Sequence, residues 1–425
     1  MKDNVLALLL AFISASRIIW FMPGLGNKYY LLLAAVLLFL LLKTRMSQVK
    51  FSSVVALLYV ACVFSIFFND IPSFFSPWMR FALFVMVTML VGPFLQCPVL
   101  RSFRKYFFWY TLLFYVIIAL ISFIGRFVGI SNVQGYYWCG ITNHSMLMGI
   151  VAGNAGVFLL LLMTSLEGLT SKQRWITGGI LLLCFLMMVG TASRSCIIAF
   201  VASGVVAIFV SMKQHRVRIV KIAVVAAIIV SVIFPLLSQY SKGIRQKNRG
   251  DVITLNISSR ASLWERSWQT FRENPFCGIG FSAMEIDTGE NIVNDSRNGQ
   301  IEPGSSWLAV LSMTGLFGGF AILLVLNKAR QQLKQIYKND IHIAATLYGL
   351  LVFYCVHMCA EGYIFAGGSM SCLNFWLLLG VIDAYANDSS TLQKTQKMYS
   401  SLIGLSFLLP NMTSWHSKMQ GKGIS

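Results

Sequence analysis

The chain has 425 residues, 57% hydrophobic and only 12% charged, with a mean hydropathy of +0.71 and a formal net charge of +19 at pH 7. Soluble domains carry roughly 25% charged residues, so this balance excludes a soluble globular protein and predicts a polytopic membrane protein. The net charge does not imply nucleic-acid binding, because most basic residues sit in short connectors between apolar runs, where bilayer orientation places them.

In chain order, twelve apolar runs approach the length of about 20 residues that a span needs: 4–22, 29–42, 51–68, 80–96, 106–125, 145–165, 175–191, 196–212, 219–238, 306–326, 342–361 and 367–386. The first lacks a small-residue cleavage motif, so it reads as a retained span. With the N-terminus inside, the inner connectors hold 21 of the 34 Lys and Arg residues, among them Arg101, Arg104 and Lys105. The outer side keeps 13, and eight of those fall in the polar interval between the ninth and tenth runs. That asymmetry places the interval outside the cytoplasm, and its basic charge then asks for its own explanation. The expected fold is all-α and polytopic, with about 12 transmembrane helices and one large extracytoplasmic loop containing an amphipathic helix. Residues 1–239 hold the first nine helices, 240–305 the loop, 306–386 the last three helices and 387–425 a cytoplasmic tail.

The polar interval contains SSRASLWERSWQTFRENPFCGIG. Ser258 or Ser259 can cap a helix there, Leu263, Trp264, Trp268 and Phe271 give it an apolar stripe, and Asn274-Pro275 stops it. Arg260, Arg266 and Arg272 project from it, either onto anionic headgroups or toward a bound anion. Charge at the rim of a membrane is costly and marks candidate sites. The outer rim carries Arg17, Arg80, Arg126, His144, Arg194, Glu302 and Glu361. Arg194 lies in GTASRSCIIAF, a tight break where small polar residues around a guanidinium can cradle phosphate or where the arginine reaches headgroups. His144 opens the sixth run and is either a general base or a helix cap. Of the nine cysteines, Cys139 and Cys277 lie in outer loops, which leaves a disulfide between them open. Cys355-x-His357-x-Cys359 sits in an apolar run at a spacing that matches no common zinc pattern. No nucleotide-binding glycine loop is present, which argues against a pump driven directly by ATP.

Three pieces together resemble the O-antigen ligase and O-antigen polymerase family of bacterial inner membranes. They are Ser193-Arg194-Ser195 after a span; Arg260, Leu263-Trp264, Asn274-Pro275-Phe276 and Gly278-Ile279-Gly280; and Gly304-Ser305 followed by Gly315 and Gly318 at the family's spacing. The resemblance runs from about Gly190 to Gly319. It departs from the family at Gly304, where the third motif usually has histidine; Glu302 stands two residues earlier.

The resemblance implies an inner-membrane glycosyltransferase that needs neither cofactor nor metal and takes a glycan linked through pyrophosphate to undecaprenol. Arg194, Arg260, Arg266 and Arg80 are the expected pyrophosphate binders. Glu302 or His144 is the expected base, activating a sugar hydroxyl that inverts the anomeric centre. The missing histidine tilts the reading toward a polymerase of lipid-linked repeat units over a ligase that uses lipid A-core as acceptor. A chain-length regulator is a further expected partner and nucleic acid is not. A transporter or flippase of lipid-linked oligosaccharides, the alternative of another class, predicts charges spread through several spans. Here the candidates gather at one face, with both termini cytoplasmic and the site facing the periplasm.

Overall fold

The structure is a computed structural model that describes residues 3–134, 136–165, 171–211, 258–285 and 301–387. The ninth apolar run, the basic cluster Lys242–Arg249 and the C-terminal tail beyond Asn387 lie outside the described residues. The first eight helices are α1 (Asp3–Ser16), α2 (Lys28–Leu42), α3 (Ser53–Phe67), α4 (Pro77–Leu90), α5 (Pro98–Val128), α6 (Ser145–Ser165), α7 (Ser171–Gly190) and α8 (Arg194–Ser211). After the undescribed stretch come α9 (Ser258–Glu273), α10 (Ser306–Asn339), α11 (Ile341–His357) and α12 (Met370–Ala386). Among the described residues two short antiparallel pairings join them: β1 (Lys50–Phe51) with β2 (Leu95–Gln96) across α3 and α4, and the hairpin of β3 (Asn132–Gln134) with β4 (Tyr137–Gly140).

Among the described residues six helical segments are long and apolar enough to cross a membrane, and five further apolar helices are shorter. Leu31, Phe67, Phe127, Trp175 and Leu323 point outward. An apolar exterior on an apolar interior is what a lipid solvent permits, since helices there associate by packing and not by exclusion from water. The core is built mainly by α8 against α11, α1 against α5, α6 against α7 and α10 against α3.

Three helices depart from the hydropathy pattern. The first run was expected to be helical to residue 22, but α1 ends at Ser16. Arg17 there lies 3.8 Å from the Tyr29 ring centroid, and Ile19 bridges to Thr142. The fifth run was expected to begin at residue 106, with Arg101, Arg104 and Lys105 in a connector. Instead α5 starts at Pro98 and buries Arg104 and Lys105. The Arg104 guanidinium donates to the carbonyls of Leu90 (2.9 Å), Met89 (2.8 Å) and Leu95 (2.8 Å), satisfying the open end of α4 where the helix dipole favours a cation. Beside it the buried Asp383 of α12 accepts from Gln96 (3.0 Å) and Gln332 (2.7 Å).

The third departure positions the site. The span expected over 306–326 is broken at Gly315, whose φ of 63° and ψ of −162° lie in a region only glycine occupies readily. A break in an apolar helix frees backbone groups that lipid cannot satisfy. The Pro275–Gly280 segment fills that need. Ile279 and Gly280 donate their N–H groups to the carbonyls of Ser312 (2.9 Å) and Met313 (3.1 Å), and Leu316 and Phe317 donate to those of Pro275 (2.7 Å) and Phe276 (3.4 Å). Ser65 adds a short hydrogen bond to the Met313 carbonyl. Phe281 follows as a peg, fully buried among Phe84 and Phe365 with ring centroids 5.9 and 5.2 Å away.

Candidate functional site

The Asn-Pro-Phe-Cys-Gly-Ile-Gly segment and the Gly315 motif are thus two halves of one backbone joint. Their glycines are positional: a Cβ on Gly278 would stand 2.4 Å from the Met313 carbonyl carbon, and one on Gly315 would stand 2.1 Å from the Phe276 carbonyl oxygen. The joint holds the C-terminal end of α9 against the kink in α10. It thereby sets where α9's arginines fall.

The expected amphipathic helix coincides with α9. Its inward face keeps Leu263, Trp264 and Phe271 of the apolar stripe read from sequence but not Trp268, and adds two small hydroxyls. Leu263 and Trp264 are half-buried and Ser267 and Thr270 are buried, whereas Trp268 is exposed, its ring 5.3 Å from Phe271. Small hydroxyls replace apolar groups because this face packs on main chain: Trp264 Nε1 donates to the Gly304 carbonyl (3.1 Å) and Ser267 to that of Pro303 (3.4 Å).

Arg260 emerges one turn before Trp264. Its two terminal nitrogens hold different carboxylates, Nη1 in a short ion pair with Glu302 and Nη2 with Glu361 at 2.8 Å. Glu302 is 66% exposed and Glu361 only 19%, so one carboxylate is a surface partner and the other is set into the protein. The backbone around them is tied down. Ser306 donates its N–H to the carbonyls of Met358 and Glu361 and its hydroxyl to that of Glu361, and that hydroxyl accepts from the Tyr363 N–H at 3.0 Å. Glu361 comes from the 358–369 connector, 101 residues from Arg260. Sequence singled it out as a rim charge without revealing its partner.

Arg266 lines a narrow crevice on the same side with Glu302 and Glu285. Behind Arg260, His357 Nδ1 and the Tyr363 hydroxyl are 3.1 Å apart. Burial pushes the Tyr363 hydroxyl well above its ordinary range, and Tyr354 and Cys196 nearby act in the same direction. Cys196 is the third residue of α8, so the helix that begins at Arg194 starts near Tyr363. Arg194 itself is half-buried, with Tyr137 of β4 as an electrostatic neighbour. It follows a break made by Ala192 at φ 54°, in which Thr191 donates to the Met188 carbonyl and accepts from the Ser193 N–H.

His144 has a different place. It is exposed, and its Nδ1 accepts from the Met146 N–H at 3.2 Å, capping α6. The capping bond occupies the basic nitrogen of one tautomer. A His144→Ala variant is expected to lose about 1 kcal/mol of stability, as helix caps do, and to keep glycan transfer within about twofold in an assay of purified protein. A hundredfold loss of transfer in well-folded His144→Ala would return the histidine to the reaction. Cys139 and Cys277 are both free thiols, not a disulfide. Cys139 is buried and its Sγ donates to the Tyr137 carbonyl, and burial raises its pKa above the usual thiol value.

Arg80 stands apart from the other arginines. It lines a cavity of about 570 Å³ formed by the start of α2, by α4 and α10, and by the connectors at 282, 301–303 and 362–369. Its Nε donates to the Phe75 carbonyl at 2.7 Å. Arg194, Arg260 and Arg266 do not line this cavity. Pro303 and Met313 line both the cavity and the Arg266 crevice, so the two spaces share a wall.

Gly304 closes that wall. Its φ is +70°, and a Cβ there would lie 2.7 Å from Leu263 Cβ. A histidine at this position would meet both the strain of the left-handed region and the flank of α9.

No curated protein matches the chain. Residues 179–323 match the profile of a family described as O-antigen ligase. That stretch, about a third of the chain, runs from within α7 through Arg194, α9 and the backbone joint to beyond the kink at Gly315. Over residues 179–323 the chain is thus similar to the O-antigen ligase family, in the same region that its three motifs single out.

Proposed function

We propose that this protein is a membrane glycosyltransferase that polymerises undecaprenyl-pyrophosphate-linked oligosaccharide repeat units on the periplasmic face of the bacterial inner membrane, with both termini in the cytoplasm. The observation that carries the reading is the Arg260 fork, held by Glu302 and Glu361, with Arg266 in the crevice that Glu302 also lines. In such a reaction the acceptor hydroxyl attacks the anomeric carbon, the bond from that carbon to the pyrophosphate oxygen breaks, and the electron pair leaves on pyrophosphate. Fixed guanidinium groups stabilise that developing charge without a metal. Attack opposite the leaving group inverts the anomeric centre.

Two carboxylates on one guanidinium also suggest how charge is managed before substrate arrives. Pyrophosphate competes for Arg260 with the exposed Glu302, while Glu361 keeps the guanidinium in plane. Released from Arg260, the Glu302 carboxylate is a base beside the reacting centre. Glu302→Gln is expected to lower transfer by about 10²- to 10⁴-fold, yet to bind the lipid-linked glycan at least as well as the parent, because the competing charge is gone. Full transfer activity in Glu302→Gln would remove this residue from the mechanism.

The description of the matched family favours a second reading, ligation of the glycan to lipid A-core. Gly304 in place of the histidine of that family's third motif inclines the choice to polymerisation. The glycan profile of a deletion strain decides between them. Core carrying a single repeat unit identifies a polymerase, whereas bare core with accumulated lipid-linked polymer identifies a ligase.

A further inference from the structure

We infer that Ser306 is a positioning residue, the group that sets the separation of the two carboxylates sharing Arg260. The inference rests on the transferase reading and deepens it, by naming what holds the Arg260 fork in register.

Glu302 and Glu361 reach Arg260 from different segments, one leading into α10 and the other following α11. A guanidinium presents its nitrogens in a rigid planar fork, so it pairs with both carboxylates only while those segments keep one spacing. They touch directly at Gly362, where a Cβ would stand 2.3 Å from the Pro303 ring. The two serines after Gly304 stitch them together. Ser305 donates its hydroxyl to the Met358 carbonyl at 3.2 Å. The Ser306 N–H donates to the carbonyls of Met358 (2.9 Å) and Glu361 (3.0 Å).

The Ser306 hydroxyl completes the seam. It donates to the Glu361 carbonyl at 2.7 Å and accepts from the N–H groups of Tyr363 (3.0 Å) and Ile364 (3.3 Å). A hydroxyl has one proton and two lone pairs, so this fully buried side chain is used to capacity by the turn that carries Glu361. Capping of α10 falls to Ser305, which accepts from the Leu308 N–H at 3.5 Å. The Ser306 hydroxyl is therefore not needed to start the helix. With its own carbonyl and the N–H two residues on both held, the Glu361 backbone cannot turn without breaking buried hydrogen bonds.

A second anchor lies on the far side of the same turn. The Tyr363 hydroxyl and His357 Nδ1 are 3.1 Å apart, and the His357 ring lies parallel to that of Phe353, with centroids 5.9 Å apart. Both Tyr363 and His357 are buried. Ser306 from α10 and the His357–Tyr363 pair from α11 thus grip Glu361 from either side.

The test uses the full-length chain in lipid nanodiscs, with undecaprenyl-pyrophosphate-linked repeat units extracted from membranes as substrate. Ser306→Ala should lower kcat by at least about tenfold while KM stays within about threefold, the pattern of misplaced groups and not of lost charge. In a Glu361→Gln background the same substitution should lower kcat by no more than about twofold, because residues that act through one another are not additive. A role confined to folding predicts the full loss in both backgrounds. That result, or parent-like kcat in Ser306→Ala, would overturn the inference. Amide hydrogen exchange read by mass spectrometry needs no transfer: residues 361–364 should exchange at least about tenfold faster in Ser306→Ala, with α12 unchanged. Parent-like exchange at 361–364 would also overturn it. If Ser306→Ala is not recovered folded, Tyr363→Phe removes only the hydroxyl of the second anchor. It should lower kcat at steady KM, with no further loss when combined with Glu361→Gln, and parent-like kcat would then overturn the inference. An inactive parent whose Ser306→Ala variant still releases residues 361–364 overturns the transferase reading and leaves the seam standing.

Discussion

Arg260→Ala should reduce glycan transfer by at least about a hundredfold, the scale on which single preorganised donors contribute to a charged transition state. The substitution also leaves Glu302 and Glu361 without their shared cation. For Glu361, largely enclosed, loss of that cation is a stability problem as well as a functional one. Two companion variants separate the effects. Arg260→Ala/Glu361→Gln removes the enclosed charge as well, and should recover the yield of monodisperse protein while transfer stays low. Arg260→Lys restores charge but not the fork, because one ammonium cannot present two nitrogens to two carboxylates in one plane; it should recover stability more than activity. Normal transfer from the Arg260→Ala/Glu361→Gln protein would show that the guanidinium serves only the fold.

The second large effect lies in the backbone joint. Gly315→Ala places a methyl where the Phe276 carbonyl oxygen already sits, in a conformation that costs a non-glycine residue about 1–3 kcal/mol before any clash. With the overlap added, a loss above about 3 kcal/mol is expected. It should be visible as a lower temperature of half-aggregation in detergent and as little protein recovered from membranes. Gly179→Ala in α7 is the matched control. A Cβ there meets nothing within 4 Å, so helix propensity alone predicts no loss and up to about 1 kcal/mol of gain. Equal behaviour of the two variants would contradict the account of the joint.

Much of this was readable from residues alone because it depended on local pattern. The apolar runs mark the helices, and α9 has a serine at its start and Asn274-Pro275 at its end. What could not be read were interactions between distant segments. Arg101, Arg104 and Lys105 look like an ordinary basic connector until the carbonyls at the end of α4 and the Asp383 carboxylate are placed beside them. Glu361 was visible as a charge at a helix rim, but nothing in its neighbourhood announces Arg260. The inward face of α9 was legible only in part for a related reason: Leu263 and Trp264 of the apolar stripe do face inward, but apolar periodicity assumes a partner made of side chains, whereas the buried Ser267 meets the main chain of Pro303. His144 stood between two readings, and its capping bond to Met146 supplies the one that needs no substrate. Arg80 was grouped with the other arginines because sequence carries no record of the wall between them.

The joint between Pro275–Gly280 and Ser312–Phe317 has a consequence for how this scaffold can diversify. Its four cross-links are formed by main-chain atoms, so beyond its glycines and its proline it asks little of side-chain identity. The parts of α9 that face residues 302–304 are held by side chains: a guanidinium, an indole and a hydroxyl. A chain built this way can exchange the residues that read a sugar or an acceptor without rebuilding the hinge that aims them. Substrate range and architecture are then separable traits, written in different atoms of the same segment.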